Sequence, residues 1–207
     1  MTIPEIGDAP PRRGNFVTRG FGRSILFLLG RWRVKGFVPN EPRFLVVVAP
    51  HTSNWDFVLG MAAILAMSLR ISYIGKHTLF RMPFKPFFTW LGGYPVNRSK
   101  RNRLVDQMVA LYQKHEKLIL ALSPEGTRSK VSRWRTGFYY CAQGAQVPIL
   151  PAGLDFAKKE LRLGPLLFPS GDQEADLKVL RTWFATIRGR HPENYGDGTT
   201  AAFKEEK

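Results

Sequence analysis

A single cysteine, Cys141, occurs in a chain of 207 residues. That excludes an intramolecular disulfide framework and a cysteine-rich zinc site, and it is compatible with a reducing compartment. Acidic residues are scarce as well: 16 Asp and Glu face 31 Lys and Arg, for a formal net charge of +15. Residues 57–105 contain no carboxylate, whereas Arg70, Lys76, Arg81, Lys85, Arg98, Lys100, Arg101 and Arg103 all fall there. An excess of this size implies an anionic partner: nucleic acid, an anionic membrane or a phosphorylated substrate. Long apolar runs are missing too. The uncharged stretch 57–69 is too short for a helix that must cross roughly 30 Å of hydrocarbon. A membrane-spanning chain is therefore not expected, while attachment to a membrane surface stays open. Residues 1–14 carry prolines and both charge signs without an apolar core, and do not read as a signal peptide. No P-loop pattern of glycines and lysine occurs, so ATP chemistry of that kind is not indicated.

With 44% hydrophobic and 23% charged residues, no repeat and no dividing linker, the chain reads as one globular domain. Strands are expected at 32–36, 44–49, 71–74, 118–122 and 147–154, and helices at 57–69, 100–115, 134–143 and 172–188. Their alternation predicts an α/β fold, a mostly parallel sheet flanked by helices. Residues 1–30 are expected to form a tail with an amphipathic helix at 16–29, 31–190 the main domain, and 191–207 a C-terminal tail. The helix at 16–29 either covers a face of the core or lies on a membrane surface.

Two short segments carry the chemistry. Pro50-His51-Thr52-Ser53-Asn54-Trp55-Asp56 follows an expected strand and opens an expected helix. A histidine with a carboxylate behind it can take a proton from a hydroxyl, the carboxylate fixing the tautomer and stabilising the imidazolium. No serine or cysteine nucleophile is paired with His51, which leaves the substrate's own alcohol as the nucleophile. The bland alternative is a polar helix cap, with Asp56 favouring the helix dipole. The second segment, Ser123-Pro124-Glu125-Gly126-Thr127-Arg128-Ser129, ends another apolar strand. Gly126 allows unusual backbone angles, Arg128 offers a forked donor for phosphate, and Glu125 either holds Arg128 or binds a substrate hydroxyl. Its bland alternative is a tight turn with a surface ion pair. His77, His115 and His191 fall on separate elements without clustered carboxylates, so no metal site is expected.

Taken together, these segments resemble the glycerolipid (lysophosphatidic-acid-type) acyltransferase family. The family's histidine and aspartate match His51 and Asp56. Its glycine, short strand and arginine match Gly92-Gly93-Tyr94-Pro95-Val96-Asn97-Arg98, and its Pro-Glu-Gly-Thr-Arg matches residues 124–128. A proline-punctuated apolar strand matches Val147-Pro148-Ile149-Leu150-Pro151. The resemblance covers roughly residues 30–155 and implies a glycerol-3-phosphate-acyltransferase-like fold. It implies that His51, oriented by Asp56, deprotonates a hydroxyl of a lysophospholipid such as 1-acylglycerol 3-phosphate. The hydroxyl then attacks the thioester of acyl-CoA or acyl-carrier-protein, with no cofactor, no metal and no acyl-enzyme. Lys76, Arg98 and Arg128 are implied to hold the acceptor's phosphate, with Glu125, Gly126 and Thr127 shaping its site. Pro50, Asn97 and Ser123 depart from the usual asparagine, aspartate and aromatic, which touches the acceptor pocket rather than the catalytic pair.

The segment 79–91 interleaves Phe80, Phe84, Phe87, Phe88 and Trp90 with Arg81 and Lys85. Either these aromatics meet the membrane–water interface, or they pack inward and line an acyl channel. The expected location is peripheral, on the cytoplasmic face of the cell membrane, with an anionic membrane surface as partner and no nucleic acid. Two rival readings remain: the same chemistry on an amino-acid-based lyso-lipid or other hydroxylated metabolite, and a non-catalytic basic module binding lipid or RNA.

Overall fold

Residues 43–48 read Arg-Phe-Leu-Val-Val-Val, a β-branched run with no polar face, and they form the central strand of the molecule. The computed structural model describes residues 3–76, 80–96, 101–127 and 129–196. Along the chain it contains α1 (Phe16–Leu28), β1 (Arg33–Lys35), β2 (Arg43–Val48), α2 (Asn54–Met67), β3 (Ile71–Lys76), α3 (Lys85–Trp90) and β4 (Gly93–Val96). There follow α4 (Arg101–Lys114), β5 (Leu118–Leu122), α5 (Gly137–Ala145), β6 (Ile149–Asp155), β7 (Glu160–Leu163) and α6 (Gln173–Phe184), then a short 3-10 turn at Pro192–Asn194.

The strands make one 7-stranded sheet in the order β1-β7-β6-β2-β5-β3-β4. All described pairings are parallel except β6 with β7. Helices cover both faces, which is why β2, β5 and β6 can be apolar without alternating. On one face Leu45, Val47, Leu118 and Leu120 pack with Met108, Tyr112, Phe138, Leu177 and Phe184 from α4, α5 and α6. On the other, Phe44, Val46, Ile119 and Leu150 pack with Leu26 of α1 and Leu59, Ala62, Ala63 and Ala66 of α2. The period of two along β2 thus divides one strand between two cores.

Helix α1 sits directly on α2. A Cβ on Gly22 would lie 2.5 Å from the Ala62 carbonyl oxygen, so only glycine permits this backbone approach. Of the two readings of residues 16–29, core cover is therefore satisfied on the inner side. Phe16, Phe21 and Leu28 remain exposed on the outer side.

The expected elements appear with shifted ends. Helix α2 begins at Asn54 rather than residue 57, because Ser53 caps it: its hydroxyl accepts from the Trp55 N–H at 3.2 Å. Gly137 opens α5 instead of lying inside it. Helix α6 stops at Phe184, four residues short, and residues 185–191 turn back across the sheet, the Phe156 N–H donating to the Arg188 carbonyl at 2.9 Å. Strand β7 was not expected. It is four residues long, follows a turn closed by Asp155 Oδ1 accepting from Ala157 and Lys158 N–H at 3.1 Å, and is too short to show a period.

Candidate active site

The loops that leave β2 and β5 emerge at the same edge of the sheet, because the two strands are parallel neighbours. The first loop carries His51 and leads into α2. Asp56, in the first turn of that helix, is almost completely buried. Its Oδ2 accepts from the backbone N–H groups of Thr52 and Ser53, both at 2.8 Å. The same oxygen lies 3.4 Å from His51 Nδ1. The two alternatives for Asp56 are thus one arrangement: the carboxylate that closes the helix N-terminus also faces the imidazole. Nδ1 of His51 and Oδ1 of Asp56 are buried and make no hydrogen bond among the described residues. The 3.4 Å separation is longer than a formed hydrogen bond. With Nδ1 committed to this buried side, Nε2 is the nitrogen available to a ligand. The His51 side chain retains 23% of its exposure.

The second loop meets the first through Glu125. Its carboxylate is 1% exposed, and both oxygens accept from the His51 backbone N–H, at 3.1 and 3.2 Å. Burial pushes the Glu125 carboxyl up to about 7, against the lowering effect of that hydrogen bond. Glu125 therefore turns inward and holds the histidine's backbone. Gly126 adopts φ +64°, in the left-handed region, and its N–H donates to the Ser123 carbonyl at 3.3 Å. That amide is used within the turn. Thr127 is exposed, its hydroxyl accepting from the Ser129 N–H at 3.3 Å.

His51, Asp56, Glu125, Gly126 and Thr127 thus lie on two adjoining loops. Lys76 ends β3, the strand on the far side of β5. Arg98 and Arg128 lie outside the described residues. Cys141 is fully buried and its thiol is pushed up to about 12 by burial, which removes it as a nucleophile.

Three contacts had no signal in the sequence. The Thr52 hydroxyl accepts from the His191 N–H at 3.2 Å, tying the histidine loop to the segment after α6. The Arg190 guanidinium lies 5.2 Å from the centre of the Trp55 ring. Arg135 lies over Gly126: a Cβ there would be 3.1 Å from its guanidinium carbon.

A family model described as Acyltransferase matches residues 33–155, more than half of the chain and the span that carries both loops. Among curated proteins, the 1-acyl-sn-glycerol-3-phosphate acyltransferase of Escherichia coli (strain K12) is 27% identical over 128 residues, 58% of this chain and 51% of the relative. The protein of the same name from Salmonella typhimurium is also 27% identical over 128 residues. The chain spans about half the length of these relatives. The crystal structure of the 1-acyl-sn-glycerophosphate (LPA) acyltransferase PlsC from Thermotoga maritima aligns with a TM-score of 0.59 at 19% identity, covering 82% of this chain and 77% of that one. At that identity the likeness is one of fold.

Proposed function

The chain belongs to the Acyltransferase family, and from that premise we propose that it esterifies a lysophospholipid of the 1-acylglycerol 3-phosphate type with a fatty acyl group drawn from acyl-CoA or acyl-carrier-protein. The observation that carries this reading is the placing of His51 Nδ1 beside a buried carboxylate that two backbone N–H groups hold in position. Nε2 of His51 takes the proton of the acceptor hydroxyl as its oxygen attacks the thioester carbonyl carbon. The tetrahedral adduct then collapses, the carbon–sulfur bond breaks, and the imidazolium returns the proton to the departing thiolate. Asp56 stabilises the imidazolium between these steps. The acyl group passes directly between substrates, with no cofactor and no metal ion. Lys76, Arg98 and Arg128 supply positive charge for the acceptor's phosphate, and Gly126 and Thr127 border its site.

The test is acyl transfer from both donors to phosphorylated lyso-lipids, neutral monoacylglycerols and amino-acid-based lyso-lipids, with the ester product identified by mass. Product from a phosphorylated lyso-lipid at least tenfold faster than from the neutral one is expected. Preference for an amino-acid-based acceptor would move the reading to that substrate. Failure with every acceptor by folded protein would sink it.

The acceptor is a membrane lipid, and we place the chain peripherally on the cytoplasmic face of an anionic membrane. Among the described residues no helix is long and apolar enough to cross a bilayer. Around α3, however, Met82, Phe84, Phe87 and Trp90 are exposed beside Arg81 and Lys85. Arg13, just before α1, stacks 4.6 Å from the Trp90 ring. Aromatics mixed with cations and free of carboxylates suit an anionic interface rather than bulk water. Replacing Phe84, Phe87 and Trp90 together with serine is expected to weaken binding to anionic vesicles by about a hundredfold or more. Unchanged co-sedimentation would remove α3 as the membrane contact.

A further inference from the structure

Arg135 lies against the turn that holds His51, and neither the sequence motifs nor the proposed chemistry uses it. Residues 126–154 contain no acidic residue, whereas Arg128, Lys130, Arg133 and Arg135 fall within them. Among the described residues Arg135 forms no ion pair, and its side chain is exposed. Its backbone is nevertheless fixed on both sides. The Arg135 N–H donates to the Pro124 carbonyl at 2.8 Å, immediately before Glu125. The preceding residue, Trp134, is 3% exposed, packs edge-on against Phe184 at 5.7 Å, and donates from its indole N–H to the Gly196 carbonyl at 2.9 Å.

This anchored backbone sends the arginine side chain across Gly126. A Cβ on Gly126 would meet the Cδ, Nε and Cζ atoms of Arg135, each at 3.1 Å. Glycine at this position therefore serves two ends, the left-handed backbone and the space the guanidinium occupies. One residue earlier, Glu125 grips the His51 N–H. A forked donor without an ion-pair partner among the described residues thus lies against the turn whose Glu125 holds the histidine's backbone.

We infer that Arg135 binds a phosphate ester of the substrate, and that this phosphate belongs to the acceptor. In a glycerol phosphate only a few bonds separate the reacting hydroxyl from phosphorus. In CoA or carrier protein the whole pantetheine arm separates the thioester from the first phosphate, too far for a cation on the turn that holds His51. Arg135 is then a specificity-determining residue that favours phosphorylated over neutral acceptors. This deepens the acyl-transfer reading and rests on it only for the identity of the acceptor.

The experiment is calorimetric titration of a short-chain 1-acylglycerol 3-phosphate, the corresponding monoacylglycerol, and CoA into the full chain, without any acyl donor. Native protein is compared with Arg135→Gln, Arg135→Lys and, as a cation in the same loop, Arg133→Gln. Arg135→Gln is expected to weaken the phosphorylated lyso-lipid by about tenfold or more, leaving the monoacylglycerol and CoA unchanged. Arg135→Lys should recover part of the loss, and Arg133→Gln should stay within about twofold, since an exposed charge is screened. In steady state the same loss should appear in KM with kcat little altered.

The inference is overturned if Arg135→Gln binds the phosphorylated lyso-lipid as native protein does, or if Arg133→Gln weakens it equally. It is also overturned if CoA is the ligand that suffers, or if native protein binds phosphorylated and neutral lipids alike. Should glutamine impair folding, the lysine variant carries the comparison: native-like affinity there, with loss in Arg133→Gln, also overturns it. Binding without transfer would leave Arg135 in place and defeat the acyl-transfer reading alone.

Discussion

Asp56→Asn is expected to lower kcat/KM by about a hundredfold to ten-thousandfold while leaving the protein folded. The asparagine carbonyl can still accept from the Thr52 and Ser53 N–H groups, which both reach Oδ2 at 2.8 Å in the native protein. The start of α2 and its cap therefore survive. What is lost is the negative charge. The oxygen that faces Nδ1 is the one that accepts from the two amides, so the carbonyl keeps its place but offers no charge to stabilise the imidazolium. Thermal melting should change by a few degrees at most, while turnover collapses. Near-native turnover in a folded Asp56→Asn protein would reduce Asp56 to a helix cap.

Glu125 is expected to have the second largest effect, through position and not through contact with substrate. Glu125→Ala removes the partner of the His51 N–H. A buried donor left unsatisfied costs about 1–3 kcal/mol of stability. The histidine loop, no longer held, loses alignment, and a displacement of about 1 Å can cost about a hundredfold in rate. Glu125→Gln retains an acceptor oxygen and should keep most of the stability, which separates the hydrogen bond from the charge. The charge has its own signature. Burial raises the Glu125 carboxyl from 4.5 to about 7, so between these values the folded protein holds a proton that the unfolded chain has released. The contribution of this group is fully present below pH 4.5, declines as pH rises through that window, and is flat above it. Melting temperatures of Glu125→Gln should therefore gain on those of the native protein as pH rises from about 5 to 8. Parallel profiles would show that Glu125 does not titrate in this window.

Much of the fold was legible because its central strands are simple. β2, β5 and β6 are short apolar runs ending in polar loops, and the helices between them carry amphipathic or wholly apolar patterns that have no other use. Where the reading failed, the local signal was weak or masked. The apolar run marks α2 only from residue 57, whereas the capping box of Ser53 and Asp56, three residues apart, starts it at Asn54. β7 is too short to display a period.

The site divides in the same way. His51 and Asp56 sit on one turn and their spacing announced them. The partners of that turn come from far along the chain: Glu125 lies 74 residues from His51, and His191 lies 139 residues from Thr52. In the sequence Glu125 suits either Arg128 or a substrate hydroxyl, since an acid inside a glycine turn gives no sign of facing inward. Only the parallel pairing of β2 with β5 brings the two loops together and turns this carboxylate toward the histidine backbone. Arg135 was passed over because the helix expected at 134–143 would have absorbed it. Its meaning depends on Gly137, not residue 134, being where that helix starts.

The central claim is that His51 removes the proton from the acceptor's hydroxyl as it attacks the thioester. The most direct test is ester formation by native protein and by His51→Ala, at equal concentration and with folding checked by melting. Donor and acceptor are supplied together in mixed micelles, and the product is counted by mass. The account predicts acceptor-dependent ester from the native chain and a loss of at least about a hundredfold in His51→Ala. Ester formed by His51→Ala at a rate close to native would contradict it and send the search for the base elsewhere in the chain.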